Sequence, residues 1–133
     1  MTDASSKTVQ VIDSALSRHP LPITVGEGCA NAILWPGNGA CYRTVNIIDL
    51  GGGGRTVDLS HAHECVYYIA SGSGCVRDLV TNETQELVEG SMIHIGPRDA
   101  YRLEGGEIGM KAVGGCVPVD PDLYNLKPGG GAA

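Results

Sequence analysis

Two histidines one residue apart, His61 and His63, are the strongest chemical signal in this 133-residue sequence. They stand at the entrance to the run ECVYYIA, whose β-branched and aromatic residues predict a strand. Side chains at positions i and i+2 of a strand point to the same face, so two imidazoles there can bind one metal ion. Cys65 follows two residues later. The pattern therefore predicts a His/His/Cys ligand set with an open position for water or substrate.

The alternation of the strand also predicts which neighbouring side chains lie on the same face as the two histidines. If the strand is continuous from Ser60, Tyr67 lies on the face of the two histidines and Cys65, whereas Glu64 points the other way. A β-bulge would reverse this order, and bulges are frequent beside active sites. Imidazole and thiolate are softer donors than carboxylates, so they favour Zn(II), Fe(II) or Cu over Mg(II) or Ca(II).

The rest of the chain consists of short apolar runs between turn signals. Strands of about five residues with turns roughly every 8 to 12 residues are typical of an all-β sandwich or barrel. Twenty glycines and no phenylalanine agree with many strands and tight turns. Gly72-Ser73-Gly74 is predicted to be one such turn. The segment from Thr8 to Ser17 fits either a short amphipathic helix or an N-terminal strand.

The predicted domain organisation is an N-terminal arm over residues 1–20, one β-barrel over 21–126 and a flexible tail over 127–133. The formal net charge is −6, the pI is near 5.0, and no block of Lys or Arg exceeds two residues. Nucleic acid and anionic membranes are therefore excluded as partners. The five cysteines contain no CxxC pair, and no signal peptide or membrane-length apolar run is evident, so we expect a cytoplasmic protein.

The motif order between Ile47 and Val113 resembles the cupin superfamily. It consists of a glycine turn, HxH, an aromatic-apolar strand, GxG, a hairpin, LxxG[DS], an apolar strand, a proline turn and an aromatic residue. The run LVEGSMIHIGPRDAYRL, residues 87–103, is similar to the second cupin motif along its whole length. The resemblance implies an antiparallel jelly-roll barrel, commonly a dimer, that holds Fe, Mn, Ni, Cu or Zn in its mouth.

The sequence departs from the cupin pattern at two ligand positions. In the first motif, the position of the family's glutamate falls on Cys65, Tyr67 or Glu64, depending on the register. We rank them in that order, although the Glu64 register is similar to the corresponding run of ectoine synthase, a cupin cyclase. In the second motif, Tyr101 occupies the position of the family's third histidine.

These considerations give His61, His63, Cys65 and Tyr101 as predicted ligands of a divalent transition metal: Fe, Zn, Ni or Cu. As a phenolate, Tyr101 would be a hard ligand; otherwise it fills the barrel mouth or moves a proton. Tyr67 and Glu64 are the other candidates for proton transfer. His94 either lines the cavity as a base or holds its entrance.

The predicted function is a metal-dependent cupin enzyme acting on a small organic metabolite as a homodimer. The altered ligand set argues against the ordinary four-ligand dioxygenase and favours lyase or cyclase chemistry. An iron-dependent dioxygenase is one alternative. The other is a metal-free cupin that only binds a small molecule.

Overall fold

The computed structural model describes residues 9–125, which form a nearly closed antiparallel β-barrel of nine strands. This confirms the predicted all-β fold. The strands are β1 (His19–Leu21), β2 (Thr24–Val25), β3 (Gly28–Leu34), β4 (Val45–Leu50), β5 (Arg55–Thr56), β6 (Glu64–Asp78), β7 (Thr84–Val88), β8 (Met92–Ile95) and β9 (Tyr101–Val117). Two short 3₁₀ helices cover Pro36–Asn38 and Pro121–Asn125. No helix in the described part of the chain is long and apolar enough to cross a membrane.

The long strands β6 and β9 join the two parts of the barrel. The strands follow the order β1-β3-β4-β9-β5-β2, and β6 pairs with β7, β8 and β9. Along β6, Cys65, Tyr67 and Ile69 are buried while Val66 and Tyr68 are exposed. The period-two pattern of the sequence therefore predicted correctly which side chains of this strand face the interior.

The predicted turn at Gly72-Ser73-Gly74 is wrong, because β6 runs through these residues without a break. Its pairing with β9 shifts register between Ile69 and Ser71 and between Gly72 and Gly74. Gly72 has a φ of 81°, and a Cβ there would overlap the carbonyl oxygen of Gly109 in β9. The glycines thus bend a continuous strand instead of ending it.

A Gly72→Ala substitution should separate the close strand approach from simple backbone strain. Gly53 has the same φ of 81°, but a Cβ there would have nothing within 4 Å. We expect Gly53→Ala to lower the free energy of unfolding by about 1 kcal/mol and Gly72→Ala by about 3 kcal/mol. Urea unfolding of both variants measures this difference. Equal losses of unfolding free energy in the two variants would show that β6 and β9 can move apart at Gly72 without a measurable loss of stability.

Inward-facing residues form two rows across β4, β9 and β6 and a third row across β9 and β6. The rows are Ile48 with Ala112 and Ile69, then Asn46 with Gly114 and Tyr67, then Cys116 with Cys65 on β9 and β6 alone. The first row is apolar and belongs to the main core. The other two rows introduce buried polar groups and thiols toward one end of the barrel.

The N-terminal segment does not form the predicted helix or strand. Residues 9–18 contain no helix or strand, and Val9 and Leu16, two of the apolar residues at helical spacing, are exposed. These side chains have no apolar surface to pack against, and propensity alone does not sustain so short a helix. The sheet begins at His19, just inside the predicted arm. Residues 1–8 of the predicted arm and the predicted tail over 127–133 lie outside the described residues.

Glu104 anchors the pairing of β6 and β9 at the opposite end of β9 from the thiols. Its Oε2 atom accepts hydrogen bonds from Arg77 Nε at 2.8 Å and Arg102 Nε at 3.0 Å. The bond from Arg77 is the main cause that lowers the pKa of Glu104 to about 2. A lowered carboxyl pKa stabilises the fold above the unfolded pKa of about 4.3, and this contribution is lost as the pH falls toward 2.

A Glu104→Gln variant should therefore be less stable than the wild type at pH 7, with the gap closing between about pH 4.5 and pH 2. Thermal unfolding across this pH range measures the gap. Glu89→Gln, at an exposed position, is the control and should follow the wild-type curve. A constant gap at all pH values would mean that Glu104 acts through packing and not through its charge.

Candidate metal centre

A buried histidine with partners on both ring nitrogens lies just before β6. His61 is 3% exposed, and its Nδ1 lies 2.8 Å from Asp120 Oδ2. Its Nε2 lies 2.8 Å from the hydroxyl oxygen of Tyr101. A carboxylate accepts hydrogen bonds only, so in the neutral ring Nδ1 carries the proton and Nε2 presents its lone pair. This carboxylate–imidazole arrangement is the usual support of a histidine that binds a metal through its other nitrogen.

Two cysteine thiols complete a cluster with this ring. Cys65 on β6 and Cys116 on β9 are directly paired across the sheet, and both are fully buried. A ring nitrogen of His61 and both Sγ atoms lie within 4.8 Å of one another. Tetrahedral zinc has Zn–S bonds of about 2.3 Å and Zn–N bonds of about 2.0 Å, so the ligand atoms around it lie roughly 3.5–4 Å apart. The three donors therefore fit a transition metal after a small contraction.

The two thiols have opposite proton affinities. Contact with the Cys116 thiol lowers the pKa of Cys65, and the nearby Tyr67 and Tyr101 hydroxyls add to this effect against the opposing effect of burial. The same contact, together with burial, raises the pKa of Cys116. Cys65 is therefore the first of the pair to become a thiolate, the form that binds metal.

Two tyrosine hydroxyls lie among these groups. Burial raises the pKa of both Tyr67 and Tyr101 well above the ordinary value, so both keep their protons at neutral pH. The Tyr101 hydroxyl meets His61, whereas the Tyr67 hydroxyl is buried without a hydrogen-bond partner within the described residues. Tyr101 and Cys65 are its polar neighbours. A buried hydroxyl without a well-formed hydrogen bond is unusual in native proteins.

Three of the four predicted metal ligands, His61, Cys65 and Tyr101, lie together in this cluster, but His63 does not. The chain bends at residues 62 and 63 and β6 begins only at Glu64, which leaves the His63 side chain exposed. The strand parity that places Cys65 and Tyr67 inside therefore does not extend back to His63. The expected pair of imidazoles on one face is not formed.

Glu64 and His94 also lie away from the cluster. Glu64 is exposed because no bulge reverses the strand at this point, and its Oε1 atom lies 3.1 Å from His94 Nε2. His94 pairs with Val66 across β6 and β8 and is exposed as well. Of the predicted proton-transfer residues, the structure thus brings Tyr67 and Tyr101 to the cluster and leaves Glu64 outside.

Sequence reasoning missed two residues of the cluster, Cys116 and Asp120. The stretch that resembles the cupin motifs ends at Val113, but β9 continues to Val117. Extending its alternation by two steps, from Ala112 through Gly114, places Cys116 inside the barrel, so a signal existed. Asp120 follows the strand and precedes the second 3₁₀ helix, and no pattern in the sequence indicates that it meets His61.

The segment after β9 covers this end of the barrel. Asp120 reaches His61, and the Tyr124 hydroxyl donates to Asn46 Oδ1 at 3.0 Å. The Trp35 ring stacks on His19 with a centroid distance of 4.0 Å and on Tyr124 at 6.0 Å. Trp35 thus helps to hold this covering segment.

Comparison with known proteins gives matches at the level of structure only. No family model matches the sequence, and no curated protein matches it. A predicted oxalate decarboxylase from Thermotoga maritima has a TM-score of 0.67 and 17% identity, covering 83% of this chain and 100% of its own. A cupin-like protein from Thermotoga maritima also has a TM-score of 0.67, with 16% identity and coverage of 91% and 92%.

A third similar structure is the polyketide cyclase RemF from Streptomyces resistomycificus. Its TM-score is 0.58 at 19% identity, and the match covers 92% of this chain and 94% of RemF. Identities this low establish a shared fold and nothing further about chemistry.

Proposed function

Because this chain has the cupin fold, we propose that it is a metal-dependent cupin enzyme acting on a small organic metabolite. The observation that carries the proposal is the buried cluster of His61, Cys65 and Cys116, whose donor atoms lie within 4.8 Å of one another. Asp120 supports it by fixing the His61 ring with Nε2 free of its proton.

The metal would be held by His61 Nε2 and the sulfur atoms of Cys65 and Cys116. One nitrogen and two thiolates favour Zn(II), with Fe(II), Ni(II) and Cu as the other candidates. Such an ion supplies a Lewis acid that polarises a substrate oxygen. The Tyr101 hydroxyl lies beside these donors, 2.8 Å from His61 Nε2.

Tyr101 is the residue best placed to handle a proton. Its hydroxyl stays protonated at neutral pH, and it is hydrogen-bonded to a ring that Asp120 orients. A tyrosine in this position can donate a proton to one substrate atom and take a proton back from another, while His61 Nε2 would be bound to the metal and would not relay it. This is non-redox proton chemistry, as a lyase or cyclase requires.

The buried thiols and the fold also bear on the cellular compartment, the oligomeric state and the ligand of the protein. We propose a reducing cytoplasm, because both buried thiols must stay reduced to bind metal. A homodimer is proposed from the cupin fold. The partner in the site is a small molecule, and neither nucleic acid nor a membrane is proposed as a partner.

Metal content tests the proposal directly. Protein purified without a histidine tag is incubated separately with Zn(II), Fe(II), Ni(II) and Mn(II), dialysed and measured by elemental analysis. We expect near one ion per chain for at least one metal, loss in His61→Ala and retention in His63→Ala. A wild-type content below about 0.2 ion per chain with every metal would overturn the metalloenzyme.

A second candidate function is a metal-free protein that binds or turns over its ligand by acid–base chemistry. The favouring observation is that both His61 ring nitrogens already have protein partners at 2.8 Å. In this case Asp120, His61 and Tyr101 act as a proton relay, and metal uptake stays low while a Tyr101→Phe change removes function. The metal measurement above separates the two candidates.

A further inference from the structure

Two buried hydrogen-bond donors inside the barrel have no partner within the described residues. They are the Tyr67 hydroxyl and the Nδ2 atom of Asn46. Both side chains are 0% exposed. Burying such groups without a partner is costly, and native proteins rarely do so without an internal water or a ligand.

The strand register places the two donors in one row of the barrel. Asn46 on β4 and Tyr67 on β6 both pair with Gly114, which lies on β9 between them. Gly114 contributes no side chain between the two, and a Cβ there would overlap the carbonyl oxygen of Val66. The two unpaired donors therefore belong to one inward-facing row, next to the row of the thiols.

Asn46 is held so that its amide nitrogen is the free group. The Tyr124 hydroxyl donates to Asn46 Oδ1 at 3.0 Å, which occupies the acceptor side of the amide. The Tyr67 hydroxyl is unpaired as well. The two groups therefore offer hydrogen-bond donors, and their ligand must present oxygen acceptors.

The charges around the two donors determine whether an anionic or an uncharged oxygen ligand is favoured. Among the described residues, the buried polar set is Thr44, Asn46, Thr56, His61 and Asp120, which includes no lysine or arginine. A divalent ion on Cys65 and Cys116 would be neutralised by the two thiolates, so even a metal-loaded site carries no excess positive charge. The buried Asp120 carboxylate adds a negative charge behind His61. An anionic ligand would be desolvated here without compensation.

We infer that Tyr67 and Asn46 form an oxygen-binding subsite for an uncharged carbonyl group, beside the thiol cluster. The substrate of the proposed enzyme is then a neutral carbonyl compound and not a small carboxylate. This substrate assignment rests on the proposed function. The carbonyl oxygen accepts from the Tyr67 hydroxyl or from Asn46 Nδ2, and the reacting part of the molecule extends toward His61 and Tyr101. The subsite itself does not depend on a metal.

Acetamide and acetate are matched probes for this subsite, because they have the same size and shape and differ in charge. Binding of each is followed by NMR titration of the full chain after removal of metal, so that the outcome is independent of metal content. We expect acetamide to perturb the Tyr67 and Asn46 signals and to bind at least about tenfold more tightly than acetate at pH 7. Acetate binding equally well or better would overturn the uncharged ligand class.

Two tyrosine variants locate the subsite. Tyr67→Phe should weaken acetamide binding about fivefold to tenfold, the equivalent of one hydrogen bond, whereas Tyr68→Phe, an exposed tyrosine of the same strand, should leave it unchanged. Without ligand, Tyr67→Phe should unfold at the same or a higher temperature than the wild type, since it removes an unpaired buried hydroxyl. A clear drop in its melting temperature, or acetamide binding insensitive to the change, would show that the two donors meet only an internal water.

Discussion

A Cys116→Ser variant should bind Co(II) at least about 100-fold more weakly than the wild type, although the sequence motifs do not mark Cys116 as a ligand. The structure places its thiol opposite Cys65 and within 4.8 Å of the other two donor atoms. Replacing a thiolate with a hydroxyl removes a strong soft donor from a three-residue set. A loss of about 100-fold corresponds to about 2.7 kcal/mol of binding free energy.

Cobalt is a suitable probe because it takes tetrahedral zinc sites and reports thiolate ligands by charge-transfer absorption. Each of the two single variants, Cys116→Ser and Cys65→Ser, removes one of two thiolates. We therefore expect each to show about half of the wild-type absorption. Cys29→Ser, at an exposed position, is the matched control and should bind as the wild type does. Equal affinity of Cys116→Ser and Cys29→Ser would remove Cys116 from the ligand set.

A parallel comparison of His61→Ala with His63→Ala tests the placement of the two histidines. The motif alone makes them equivalent, whereas the structure buries His61 and exposes His63. We expect loss of Co(II) binding in the first variant and less than about a twofold change in the second. Equal losses would mean that the bend before β6 reverses when metal binds.

The fold and the inner face of β6 follow from the sequence because both depend on local periodicity. Alternation put Cys65 and Tyr67 inside and Glu64 outside, and the structure agrees. Glycine was ambiguous for a physical reason: the same freedom at positive φ that ends a strand at a turn also bends a continuous strand, as at Gly72. Only the pairing partner, β9, distinguishes the two cases.

The site was less predictable because its members come from distant parts of the chain. Tyr101 lies 40 residues from His61, and Asp120 lies 59 residues from it, so no short window contains the contacts. Parity failed at His63 because alternation holds only within a strand, and β6 starts one residue later. The resemblance to the cupin motifs did mark Tyr101, since it supplied a three-dimensional position that spacing alone lacks.

Asp120→Asn should weaken metal binding by about 10-fold to 100-fold although Asp120 would touch no metal. Its Oδ2 atom accepts the Nδ1 proton of His61 at 2.8 Å and thereby keeps Nε2 free of a proton in the neutral ring. An asparagine amide turned with its NH₂ group to His61 favours the opposite tautomer, whose Nε2 carries the proton and cannot bind an ion. Asp122→Asn, an exposed position in the 3₁₀ helix that follows Asp120, is the matched control and should change the affinity less than twofold.

Nitrogen-15 NMR of the imidazole reports the tautomer of His61 directly. A purely structural role of Asp120 would leave this tautomer unchanged. In the metal-free wild type we expect the His61 proton on Nδ1, and in Asp120→Asn a shift toward Nε2, while the melting temperatures of Asp120→Asn and Asp122→Asn report any loss of packing separately. A wild-type tautomer in Asp120→Asn with reduced metal affinity would assign the effect of Asp120 to the covering segment and not to the ring. An unchanged affinity would mean that the thiols alone determine metal binding and that His61 serves Tyr101 as a proton partner.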